Sequence, residues 1–194
     1  SPLLTRTIQD GNTIRAIIGS FAALLIPIGF ILGIIASINT GAQALPPVWI
    51  IVGAIMAVAI FDAFAGFVAG FVFFILALVT GNITNRPELL TTIGVMVLFF
   101  APALLASAFR PFRRETLKKG DRWELLTDIA LVSLLGGWAL KNLIVMLPAI
   151  SRLQLPISEY ANQIGIAGGL LIFIRVCGEN IGIRVFPRRI NDVT

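Results

Sequence analysis

The stretch Ala59–Gly70, "AIFDAFAGFVAG", sets one carboxylate, Asp62, in the middle of an apolar run over 48–79. Whether the chain stays helical through Asp62 decides the fold. Phe61, Phe64, Phe67, Phe71 and Phe74 follow one another at spacings of 3, 3, 4 and 3. That spacing keeps them on one face of a helix with 3.6 residues per turn. Ala59, Asp62, Ala63, Gly66, Ala69 and Gly70 fall roughly on the opposite face. The phasing predicts one long, tilted helix running straight through Asp62. Its wide aromatic face suits lipid, and its small-residue face lets another helix approach closely. Asp62 is then expected to face protein or a water-filled cavity, away from lipid.

The rest of the composition agrees with a membrane setting. Of 194 residues, 57% are hydrophobic and 13% charged, with a mean hydropathy of +0.94. A soluble domain carries about a quarter charged residues. The deficit leaves too little polar surface to wrap an apolar core, so the chain reads as an integral membrane protein. The net charge of +5 is assigned to the Lys/Arg bias of cytoplasmic loops, and no nucleic-acid partner is expected. Cys177 is the single cysteine, which excludes an intrachain disulfide. The absence of histidine excludes imidazole acid–base chemistry and His-ligated metals. Walker A, HExxH, CxxC and GxSxG patterns are missing too, so neither enzyme activity, nor a cofactor, nor a metal is expected. The opening stretch "SPLLTRTIQDGNTIRA" lacks the apolar core of a signal peptide.

Five apolar segments stand out, at 14–38, 48–79, 89–109, 125–147 and about 160–185. Each approaches or exceeds the roughly 20 residues that a membrane helix needs. The expected fold is all-α: one polytopic transmembrane bundle of about five helices. The fifth segment is the weakest, because Arg175, Glu179 and Arg184 interrupt it. Asn85 with Glu88, and Asp121 with Glu124, mark the starts of the third and fourth segments, and Ser158 is a candidate cap for the fifth. Pro27 and Pro102 lie inside segments and should kink them. Trp49, Trp123 and Tyr160 sit near segment ends, as interfacial aromatics do.

Charge gives orientation. Loop 110–124 holds six Lys/Arg and is expected on the cytoplasmic side of a bacterial-type inner membrane. A straight second segment puts the N-terminus outside, with nine Lys/Arg inside against four outside. A second segment that dips in and returns puts both termini inside, at eleven against two. The two signals disagree. The five phased phenylalanines are given more weight than a difference of two arginines.

Three residues could carry chemistry. Asp62 lies about 14 residues from either end of its segment, beyond the reach of snorkelling, and burying a carboxylate there costs on the order of 3 kcal/mol. It is the candidate proton- or cation-binding site; the plain structural role is a polar clip to a neighbouring helix. Arg175 and Glu179, four apart, share a helix face and can pair with each other or with Asp62. Four GxxxG spacings, Gly29/Gly33, Gly66/Gly70, Gly165/Gly169 and Gly178/Gly182, suggest close helix packing within the chain or between copies. Arg113, Arg114, Lys118 and Lys119 could hold anionic lipid head groups. "NIT" at 82–84 fits a glycosylation sequon, a short pattern with little specificity. The expected function is transport or conduction of protons, ions or a small solute, with Asp62 as the intramembrane site. The alternative is a non-catalytic subunit that assembles with itself or with other membrane proteins.

Overall fold

A computed structural model describes residues 11–38, 47–109, 122–151 and 155–185. Its elements are α1 (Gly11–Ile38), α2 (Trp49–Phe61), α3 (Ala63–Val79), α4 (Arg86–Ala108), α5 (Arg122–Ser151) and α6 (Ala161–Val185). A 3-10 turn at Pro156–Tyr160 leads into α6. Among the described residues no strand occurs. Three helices are long and apolar enough to cross a membrane: Arg86–Ala108, Trp123–Ala149 and Ile157–Glu179. The apolar stretches Leu24–Ile38, Trp49–Phe61 and Ala63–Val79 are shorter.

The single rod expected over 48–79 is two helices. Asp62 has extended backbone (φ −138°, ψ 106°) and separates α2 from α3. The aromatic spacing misled for a definable reason. Phe64, Phe67, Phe71 and Phe74 all belong to α3 and keep phase whatever precedes them. Phe61 alone tested continuity, and one residue cannot fix a register. The facial assignment holds for most of these residues, with Phe74 only partly exposed. Phe61, Phe64, Phe67 and Phe71 are 72%, 58%, 43% and 49% exposed, while Ala59, Ala65, Gly66, Ala69 and Gly70 are buried. Ala63, expected on the small-residue face, is exposed.

The break reverses the chain. Gly29 lies against Ala65 and Gly33 against Ala69, so α1 and α3 run parallel. Gly66 faces Phe100 and Gly70 faces Met96, so α3 and α4 run antiparallel. Gly168 meets Met56 and Arg175 meets Ile60, so α2 and α6 run parallel. Gly169 lies against Ser133 and Gly165 against Lys141, so α5 and α6 run antiparallel. At the break, Gly66 abuts Ala59. Residues seven apart in a straight helix would be separated by about 10 Å along the axis. The two short helices therefore form a V with Asp62 at its apex. Successive contacts along α3 place the apex near the end of the bundle where α4 finishes.

The V is held from several sides. α2 packs against α1, α3, α4 and α6 and buries Val52, Ile55, Met56, Ala59 and Ile60. Phe73 of α3 meets Phe99 of α4 edge-on, with ring centroids 5.6 Å apart. At the far end Trp49 stacks on Tyr160 at 5.7 Å. Gly81, at φ 73°, ends α3, and the Asn82 amide reaches back to the Ala77 carbonyl. Glu88 accepts from the Thr84 and Asn85 amides, the carboxylate half of the capping box read from the sequence. Ser158 does not cap α6. It lies in the preceding 3-10 turn, and its hydroxyl donates to the Leu155 carbonyl. α1 and α4 continue through Pro27 and Pro102.

Glycines set how closely the helices approach. A Cβ at Gly137 would lie 2.7 Å from the Gly165 carbonyl oxygen and 3.3 Å from the Gly169 Cα. Those are backbone atoms and cannot rotate away. Gly53 and Gly178 have nothing within 4 Å of such a Cβ. Gly137→Ala should destabilise the bundle by about 1–3 kcal/mol through overpacking. Gly53→Ala should leave stability unchanged or raise it by up to about 1 kcal/mol, since alanine favours helix. Thermal unfolding of the two variants in one detergent checks the contrast.

Candidate functional site

An unbroken helix would bond the Phe64 amide to the Ile60 carbonyl, four residues back. That bond is missing, and each half has found a charged substitute. The Phe64 N–H donates to Asp62 Oδ1 at 2.9 Å. The Ile60 carbonyl accepts from Arg175 Nη1 at 3.2 Å, across 115 positions of sequence. Asp62 has taken the acceptor's place and Arg175 the donor's. One bond on either side of the break belongs to its own helix: the Asp62 amide closes α2 on Val58, and the Asp62 carbonyl opens α3 by accepting from Gly66.

Each charge also suits its position. A helix carries partial positive charge at its N-terminus and partial negative charge at its C-terminus. The Asp62 carboxylate caps the N-terminus of α3, and the Arg175 guanidinium caps the C-terminus of α2. Arg175 Nε also donates to Glu179 Oε1 at 3.1 Å, with side chains 23% and 29% exposed. With Ile60 only 2% exposed, leaving its carbonyl without a donor would cost about 1–3 kcal/mol. Arg175 removes that penalty and fastens the apex to α6.

Folding thus brings together the three residues singled out for chemistry, in an arrangement different from a simple carboxylate–arginine pair. Arg175 and Glu179 pair with each other as their spacing predicts. Arg175 reaches the backbone two residues from Asp62 and not its carboxylate. Asp62 is half-buried and clips its own helix, where a clip to a neighbour was expected. Its depth also changes. In a straight rod it would be central; in a V it lies at the tip, about 20 Å from the start of the 13-residue α2.

The glycine pairs divide clearly. Gly29 and Gly33 receive Ala65 and Ala69 of α3, and Gly66 and Gly70 receive Ala59, Phe100 and Met96. Gly165 and Gly169 pack against Gly137. All six are used within the chain. Gly137 carries the α5–α6 contact although it belongs to no GxxxG pair; its only sequence signal is the doublet Gly136–Gly137. Ile60 went unnoticed because its contribution is a carbonyl, which no residue type advertises. Arg113, Arg114, Lys118 and Lys119 lie outside the described residues. Among the described residues, no three His, Cys, Asp or Glu side chains group as a metal site requires.

No family, no curated protein and no solved structure matches this chain.

Asparagine caps a helix as well as aspartate does, whereas alanine cannot. Asp62→Asn should therefore unfold within about 0.5 kcal/mol of the native chain, and Asp62→Ala should lose about 1 kcal/mol. Denaturant or thermal titration in detergent separates the two. An equal loss in both variants would mean that the charge, and not the cap, holds the apex.

Proposed function

We propose that this chain is a polytopic membrane protein that moves a proton, an ion or a small charged solute, with the apex of the V as its binding site. The supporting observation is the broken Ile60–Phe64 hydrogen bond. Half-helices that meet at a break offer backbone groups and helix-end dipoles to a charged ligand, an arrangement that transport proteins exploit. Here the apex also gathers two carboxylates and a guanidinium, costly groups for a stretch this apolar. Reversible protonation of Asp62, or exchange of a cation for one of these partners, would supply the moving step.

This reading is preferred to an assembly subunit because three of the four GxxxG pairs, Gly29/Gly33, Gly66/Gly70 and Gly165/Gly169, pack inside the chain, although Gly178 stays open. Its membrane layout follows from the reversal. α1, α4, α5 and α6 each cross, and α2 with α3 enter from one side and return to it. The start of α1 and the end of α6 then share a side with loop 110–124. That is the eleven-against-two distribution of Lys/Arg, and it puts this side in the cytoplasm.

Two measurements test the proposal. Asp62→Asn, reconstituted in liposomes, should retain its fold and lose at least about tenfold in proton or ion flux, since a neutral amide cannot exchange a proton. Unchanged flux, or none in the native protein across a panel of ions, would overturn the transport reading. For the layout, tags at the two termini should both be digested by protease in inside-out vesicles and both be protected in right-side-out ones. Opposite protection would restore the odd number of crossings.

A further inference from the structure

The Arg175 side chain fills a seat made by other parts of the chain. One acceptor is the Ile60 carbonyl at the C-terminus of α2, and the other is the Glu179 carboxylate on α6. Two different nitrogens of one guanidinium, Nη1 and Nε, serve the two acceptors. A planar group with N–H donors pointing in several directions is what such a pair of oxygens selects. The carbonyl carries the partial negative charge of a helix end, the carboxylate a full one, and Asp62 stands two residues away in sequence. A guanidinium is also more weakly hydrated than an ammonium, so a partly buried seat accepts it more readily.

We infer that this seat is the cation-recognition site of the proposed pathway, that its ligand class is guanidinium- or amine-bearing cations, and that such a cation enters by displacing Arg175. The inference rests on the transport reading for its pathway, and on the observed contacts for its chemistry. Arg175 acts as a tethered occupant. While it is seated, the α2 end is satisfied and the apex is fastened to α6. When a solute cation takes the seat, Arg175 is released and the solute makes the same two contacts. The step exchanges one hydrogen-bonded cation for another in the seat; Arg175 stays tethered and charged, so the apex as a whole carries one more positive charge until the solute leaves.

Cys177 is a natural reporter. It is the single cysteine, lies two residues beyond Arg175, and is partly buried against the core. The experiment measures its labelling by a water-soluble maleimide in the full chain in nanodiscs. Arg175→Ala should raise the labelling rate about tenfold, the scale of losing one charge-assisted hydrogen bond. Millimolar guanidinium chloride should restore slow labelling, while urea, its neutral counterpart of similar shape, and sodium chloride should not. Adding Glu179→Gln to Arg175→Ala should abolish that restoration. Unchanged labelling in Arg175→Ala, or restoration by urea as well as by guanidinium, overturns the inference. If Arg175→Ala does not fold, Glu179→Gln alone carries the test: it keeps Arg175 and weakens its seat, so labelling should rise several-fold, and no rise overturns the inference.

Guanidinium flux into liposomes separates this inference from the transport reading. Restored protection with no flux of any ion in the native protein keeps the seat and overturns transport. Flux that depends on Asp62, without guanidinium protection in Arg175→Ala, keeps transport and overturns the seat.

Discussion

The break in helical hydrogen bonding at Asp62 organises this protein. A helix gives up the bond between Ile60 and Phe64 at low cost when both orphaned groups find other partners. The donor is satisfied locally, by the Asp62 carboxylate. The acceptor is satisfied from a distance, by Arg175 of α6. The reversal of the chain and the fastening of α2 to α6 follow from this exchange. The clustering of Asp62, Arg175 and Glu179 follows from it as well. The polar residues that look most expensive in the sequence repair the break that brings them together.

Close packing allows the arms of the V to be accommodated. Gly66 lets Ala59 approach across the apex, and Gly29 with Gly33 lets α3 lie along α1. On the other side, Gly137 meets Gly165 and Gly169 almost backbone to backbone, which draws α6 against α5. With little hydrophobic driving force between helices in lipid, such close approach and the dispersion it brings supply much of the attraction. The large aromatics are relegated to the outside of α3, apart from Phe73, which keys into Phe99. Along α3, mostly small residues inside and phenylalanines outside invert the usual arrangement of a soluble core. That inversion suits a surround of acyl chains.

Much of this was legible residue by residue. Apolar segments gave the all-α class and most helix limits. The spacing of Phe64, Phe67, Phe71 and Phe74 gave the outward face of α3, and GxxxG pairs gave its inward contacts. Glu88 marked the start of α4. The break at Asp62 was harder to see, although aspartate is a favoured N-cap. No proline or glycine stands at the break, and the aromatic phase happens to run across it. The distribution of Lys/Arg pointed the other way. It favoured a second segment that turns back, and the helices do reverse at Asp62.

The sequence by itself determined the helical class, the apolar helices fit for a membrane and most of their faces, because hydropathy and periodicity are properties of neighbours along the chain. It also named Asp62, Arg175 and Glu179, because charge in an apolar run is conspicuous wherever it falls. Only the tertiary structure decided that the chain turns back at Asp62 and that Arg175 bonds the Ile60 carbonyl. The physical reason is that a broken helix is stable only when a donor from elsewhere completes it. That donor lies 115 positions away, where no local pattern can register it.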